Sequence, residues 1–154
     1  MKQENQKLMR EQLDKKIEAF QKVAKIATPI GGWIKAVRSS LGMTLKQLSK
    51  KVGVSSQSIN QLEQREKDGA ITIDKLREIA SALNMKLVYG FVPNDNSLEN
   101  MIEKRATEIA TEIVMKTSHN MKLENQENSN ERLKVAIKNR ANKIKEELPS
   151  YLWD

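Results

Sequence analysis

No cysteine occurs in this 154-residue chain, and histidine occurs once, as His119. Disulfides and thiolate metal sites are therefore excluded, and a single imidazole builds neither a His-based metal site nor a conventional catalytic dyad. His119 falls near the end of a helical pattern, where a cap or surface role accounts for it better than a catalytic base. No apolar run approaches the roughly 18 residues needed to cross a membrane. The stretch MKQENQKLMREQLDKK lacks the apolar centre of a signal peptide, which points to a reducing cytoplasm. A phosphate-cradling glycine loop and a nucleophile set beside a base are also missing. The expectation is a protein without cofactor or metal that is not an enzyme.

What the chain does have is positive charge, +7 in total with a pI near 9.6, which favours a polyanionic partner. The excess is unevenly placed. Residues 1–30 hold seven Lys/Arg against four Asp/Glu, residues 31–96 hold ten against six, and residues 97–154 hold ten against ten. The basic part is the first two thirds. The balanced remainder implies a segment with another purpose.

Residues 44–63, TLKQLSKKVGVSSQSINQLE, carry the most information. Helical spacing resolves them into two short helices around a tight turn. Leu45 and Leu48 face inward from the first, Val52 and Val54 bracket the turn, and Ile59 and Leu62 anchor the second. Gly53 stands where the turn requires positive φ, and Ser49 where the helices approach most closely. The outer face of the second helix then holds Ser55, Ser56, Gln57, Ser58, Asn60 and Gln61. Glutamine and asparagine donate and accept at once, which matches the N6/N7 edge of adenine in the major groove. The pattern is that of a DNA-reading helix. Lys35, Lys46, Lys50 and Lys51 are candidates for phosphate contacts, taken collectively. Arg38, on the preceding helix, lies near where Glu63 emerges, and a buried pair there would fix the angle between helices.

The remaining pattern divides the chain into four parts. Residues 1–30 contain an amphipathic helix over 2–27, with Met9, Leu13, Ile17, Phe20, Ala24 and Ala27 on one side, free to pack on its own domain, pair with a second copy or lie along DNA. Residues 31–84 read as a compact five-helix unit, in which Thr72 or Asp74 caps a helix carrying Leu76, Ile79 and Leu83. Residues 85–93 contain Lys86 to Val92, whose β-branched and aromatic content favours one short strand. A single strand in an all-α chain has no partner, and a second copy across a two-fold axis would supply one. Residues 97–154 read as two helices, about 97–117 and 131–148. The ending Tyr151-Leu152-Trp153 either anchors a partner or folds back.

Residues 31–84 resemble the phage-repressor (Cro/C1, Xre-type) DNA-binding domain. In that family amide side chains opening the third helix contact bases, and Gln57 and Gln61 fall on such positions. Ser56 occupies another position where glutamine is common. Leu45 stands where many members place a phosphate-bracing glutamine, a departure that bears on that one contact. Arg38 and Glu63 match the family's interhelical ion pair. Nearly the whole chain, through Gly32-Trp33-Ile34, Leu41-Gly42-Met43, Asp68-Gly69-Ala70-Ile71-Thr72, Leu87-Val88-Tyr89, Val92-Pro93, Ser97-Leu98-Glu99, Arg105-Ala106 and the stretch from His119 to Gln126, is similar to the mobile mystery protein A family. That resemblance implies a partner, the Fic-domain protein typically encoded alongside. It also implies a module like a toxin–antitoxin pair. Fic enzymes are often inhibited by a Ser/Thr-x-x-x-Glu-Gly/Asn helix, and Asn120 to Asn125 matches its spacing with Glu124 at the glutamate. The combined expectation is a homodimeric autorepressor on a double-stranded operator, antitoxin-like toward a Fic partner. The other reading is an inhibitor of that partner for which DNA binding is secondary.

Overall fold

The computed structural model describes residues 1–123 and 130–154, with the backbone alone for residues 120–123. The chain forms α1 (Lys2–Gln21), a 3-10 turn (Val23–Lys25), α2 (Trp33–Ser40), α3 (Leu45–Val52), α4 (Ser56–Lys67), α5 (Ile73–Ala82), α6 (Leu98–Leu123), α7 (Asn130–Glu147) and a second 3-10 turn (Ser150–Trp153). It divides into two compact units: Met1–Ala24 with Phe91–Asp154, and Lys25–Gly90.

In the Lys25–Gly90 unit, local chemistry starts and stops each helix. The Thr44 hydroxyl accepts from Gln47 N–H (3.1 Å) while the Gln47 side chain accepts from Thr44 N–H (2.9 Å), a reciprocal cap on α3. Gly53 ends α3 at φ +84, a backbone that costs a side chain strain, and its N–H donates to Ser49 O. Ser55 caps α4 and Thr72 caps α5. The inner faces meet in a core of Ile34, Leu48, Ile59, Leu62 and Ile79, with Leu48 and Ile59 wholly buried.

Two expectations are corrected here. The unit has four helices, α2 to α5, rather than five. Asn84 turns the chain at φ +56 immediately after α5, and residues 85–92 leave it without helix. Nor do Lys86–Val92 form a strand: there is none among the described residues. Branched and aromatic side chains favour extended φ/ψ, but a strand also needs a neighbouring backbone to bond with, and no segment of the described chain provides one.

In the other unit α6 and α7 pack along each other around Ile102, Ala106, Ile109, Ala110, Ala141 and Ile144. α6 runs on to Leu123, beyond the end near 117 expected from its apolar stripe, while the N-terminal helix stops at Gln21 rather than 27. The tail folds back. Leu152 is buried in this core, and the Arg105 guanidinium donates to Leu152 O (2.8 Å) and Asp154 O (2.7 Å). Tyr151 and Trp153 stay exposed. α1 belongs to this unit: Ile17 is buried, and the Asp14 carboxylate accepts from Leu98 N–H (2.8 Å), capping α6 from a residue 84 positions away.

Glu99 joins these helices, meeting Arg10 at 3.2 Å and Lys145 at 3.0 Å. Burial pushes its carboxyl upward, but the hydrogen bonds from Lys145 and Arg10 outweigh that and hold it below the ordinary value. A carboxyl depressed in the folded state stabilises at pH above its unfolded value, and the contribution is lost as pH falls through the folded value. Thermal unfolding at successive pH values should therefore show an acid-side decrease in stability that is smaller in Glu99→Gln. An identical pH profile in the two proteins would contradict this.

Candidate nucleic-acid interface

α4 buries one face through Ile59, Leu62 and Glu63 and turns the opposite face to solvent. On the exposed side lie Gln57, Asn60 and Gln61, with Ser56 half-buried at the first turn. Successive helical residues are about 100° apart, so positions i, i+4 and i+7 share one stripe. Gln57, Gln61 and Gln64 therefore form the crest of α4. Gln64 was missed by the sequence reading, and its amide donates to both Asp68 carboxylate oxygens at 3.1 Å.

Ser55 and Ser58 serve differently. Ser58 N–H donates to Ser55 Oγ (3.1 Å) and the two hydroxyl oxygens lie 2.8 Å apart, so both hold the start of α4. Lys46, Lys50 and Lys51 are exposed on α3, as is Lys35 on α2. Ser49 is buried on α3, with its hydroxyl donating back to Lys46 O.

Two carboxylates one turn apart on α4 lock it to α2. Arg38 Nε donates to Glu63 Oε1 (2.5 Å) and its NH2 group to Oε2 (3.2 Å), while NH1 donates to Met43 O (2.9 Å). Their side chains are only 13% and 6% exposed, and the hydrogen bonds to Glu63 raise the Arg38 guanidinium above its already high ordinary value. Glu66 is the second lock, and the sequence reading overlooked it. α2 begins after Gly32 with no cap of its own; instead the Glu66 carboxylate accepts from Trp33 N–H and Ile34 N–H, each at 2.8 Å. A Cβ on Gly32 would come within 2.8 Å of Glu66 Oε1, so glycine is required for this approach. The available signal was a helix starting without Ser, Thr, Asp or Asn, which calls for an acceptor from elsewhere.

Glu66→Ala is expected to lower stability by about 0.5–2 kcal/mol, the usual cost of a lost N-cap. Urea denaturation would measure it, and an unchanged midpoint would show that water replaces the carboxylate without loss.

This arrangement, a short capped helix carrying a second helix with an outward amide crest, suits insertion into a DNA major groove. Residues 34–89 match the helix-turn-helix family HTH_3. The chain carries an HTH_3 domain. Domains of this Xre/Cro-C1 type occur in DNA-binding transcriptional regulators, and the chain is read as one. No curated protein and no solved structure matches the chain.

Elsewhere, no three His, Asp or Glu side chains gather to hold a metal among the described residues, and no described helix is long and apolar enough to cross a membrane. Glu124 and Asn125 lie outside the described residues, and the Asn120 side chain with them.

Proposed function

We propose that this protein is a sequence-specific repressor of its own operon. The observation that carries the reading is the amide crest of α4, exposed to solvent while Arg38–Glu63 and Glu66 anchor the helix from behind. Gln57 and Gln61, with Ser56 and Asn60 beside them, read base edges; Lys46, Lys50 and Lys51 supply salt-dependent attraction to phosphates. Ser55 and Ser58 fix the start of the reading helix.

The test is titration of the purified protein against its own promoter and random DNA at several salt concentrations. Tight, promoter-selective binding is expected; weak binding equal on both DNAs would overturn the reading. Replacing Lys46, Lys50 and Lys51 by alanine should weaken binding to both DNAs alike. It should also flatten the dependence of log K on log salt by about 2–3, roughly one for each phosphate no longer neutralised. An unchanged slope would assign phosphate binding to other residues.

A homodimer on a palindromic operator is part of this proposal. Supporting it is an apolar groove between α2, α5 and the chain after α5, lined by Trp33, Val37, Leu76, Leu83, Leu87 and Val88. Val88 and Tyr89 are exposed beside it. A second copy would cover this surface, and sedimentation showing only monomer at the concentrations that bind DNA would exclude it.

The resemblance to mobile mystery protein A adds a partner: a Fic-domain protein bound through residues 97–154, with Asn120, Glu124 and Asn125 as inhibitory residues. Co-expression with the neighbouring Fic protein tests this. Failure to co-purify would remove it and leave the DNA reading untouched.

A further inference from the structure

Beside the crest of α4 runs an open groove of about 420 Å³, with α4 as one wall and α2 as the other. Lys35 and Ser39 border it from α2, and Asn60, Gln64 and Lys67 from α4. All five side chains are exposed, so a ligand can reach them. Gly31 lines the groove as well. A Cβ there would lie 3.1 Å from Lys35 Cδ, so the bare backbone gives room for the lysine stem to rest beside it.

The charge in this groove favours an anion. Neither Lys35 nor Lys67 has a hydrogen bond or ion pair among the described residues. Glu63 is the acidic residue of the lining, and Arg38 already holds both of its carboxylate oxygens. The acids nearby are engaged too: Glu66 accepts from Trp33 N–H and Ile34 N–H, and Asp68 accepts from Gln64. What remains is an unpaired ammonium on each wall.

Helical arithmetic gives the groove a direction. Asn60 and Lys67 are seven positions apart and share a stripe roughly 60–80° to one side of Gln57, while Ser58 and Arg65 lie about as far to the other side. A helix seated in a major groove about 12 Å wide has one sugar-phosphate backbone along each of its sides. The groove bearing Lys35 and Lys67 therefore borders one of those backbones. The α3 lysines do not line it.

We propose that the α2–α4 groove holds backbone phosphates of the DNA strand on the Asn60–Lys67 side of α4, with Lys35 and Lys67 donating to their oxygens. Phosphate contacts fix register and orientation without reading sequence. Because the two lysines come from different helices, this contact sets how α4 sits across the major groove. The inference rests on the DNA-binding reading and adds a second phosphate site to the one supplied by Lys46, Lys50 and Lys51.

The test compares full-length parent, Lys35→Ala/Lys67→Ala and Lys35→Arg/Lys67→Arg on the promoter and on random DNA across a salt series. The alanine variant should bind both DNAs more weakly and flatten the slope of log K on log salt. The change should be about 1 where the two lysines share a phosphate and about 2 where each takes its own. The arginine variant should keep the parent slope. Phosphate-ethylation interference on the promoter, at low salt, then locates the contact. The alanine variant should lose sensitivity at a set of phosphates that the Lys46→Ala/Lys50→Ala/Lys51→Ala protein still senses. A parent that binds the promoter, with an unchanged slope in the alanine variant, would overturn this inference and leave the reading of α4 intact. So would loss of the same phosphates in both variants. No DNA binding by the parent would overturn both.

Discussion

Gln57→Ala/Gln61→Ala is expected to erase the difference between promoter and random DNA while leaving the protein folded. Each glutamine on the crest of α4 can make a bidentate contact to a base edge, and such a contact is worth about 1–3 kcal/mol of discrimination. The pair together is worth roughly 2–6 kcal/mol, less if the two contacts are coupled, since i and i+4 positions on one face share a stretch of groove. Affinity for random DNA should hardly change, because in the proposed reading lysines rather than amides supply it. Nor should stability fall: both side chains are exposed, and alanine is the best helix former. Competition binding at fixed salt reads the effect directly. Equal loss on both DNAs would mean that the amides touch phosphates, and α4 would lose its claim to sequence reading.

The second large effect is expected at Arg38. Arg38→Ala strands the Glu63 carboxylate, buried on the inner side of α4, and frees Met43 O. Removing one partner of a buried pair typically costs about 3–5 kcal/mol, because a charge is left buried without compensation. That is a large share of the stability of a domain this size. Chemical denaturation should show a clear drop in midpoint, and DNA binding should fall with it, since α4 loses one of the two carboxylate links to α2 described above. The double replacement Arg38→Met/Glu63→Leu separates charge from packing. It should recover much of the stability by removing both buried charges, yet alter the tilt of α4 and hence promoter selectivity. If Arg38→Ala unfolds no more easily than the parent, water reaches the pair and it does not lock the helix angle.

How much of this was legible in advance differs from element to element. The α3–α4 hairpin was readable almost residue by residue. Its apolar spacing, its glycine at positive φ and its hydroxyl and amide positions all act within one or two helical turns, so sequence neighbours are also spatial neighbours. Gln64 escaped because the reading stopped one turn short of the end of α4. The short strand at Lys86–Val92 failed for the opposite reason: extended propensity is local, but pairing is not, and no described segment lies alongside to bond with it.

The amphipathic pattern and the turn glycine are sufficient for helices packed around Leu48 and Ile59 with an outward amide face, because burial of one face follows from periodicity. They did not set the number of helices, read as five where α2 to α5 are four. Which carboxylate serves which helix end is not encoded that way. Glu66 caps α2 from 32 positions on, and Asp14 caps α6 from 84 positions back. Leu152 chooses the α6–α7 core over a partner. An unpaired N–H at a helix start accepts any oxygen that folding brings within hydrogen-bond reach, and only the three-dimensional path of the chain selects which one arrives.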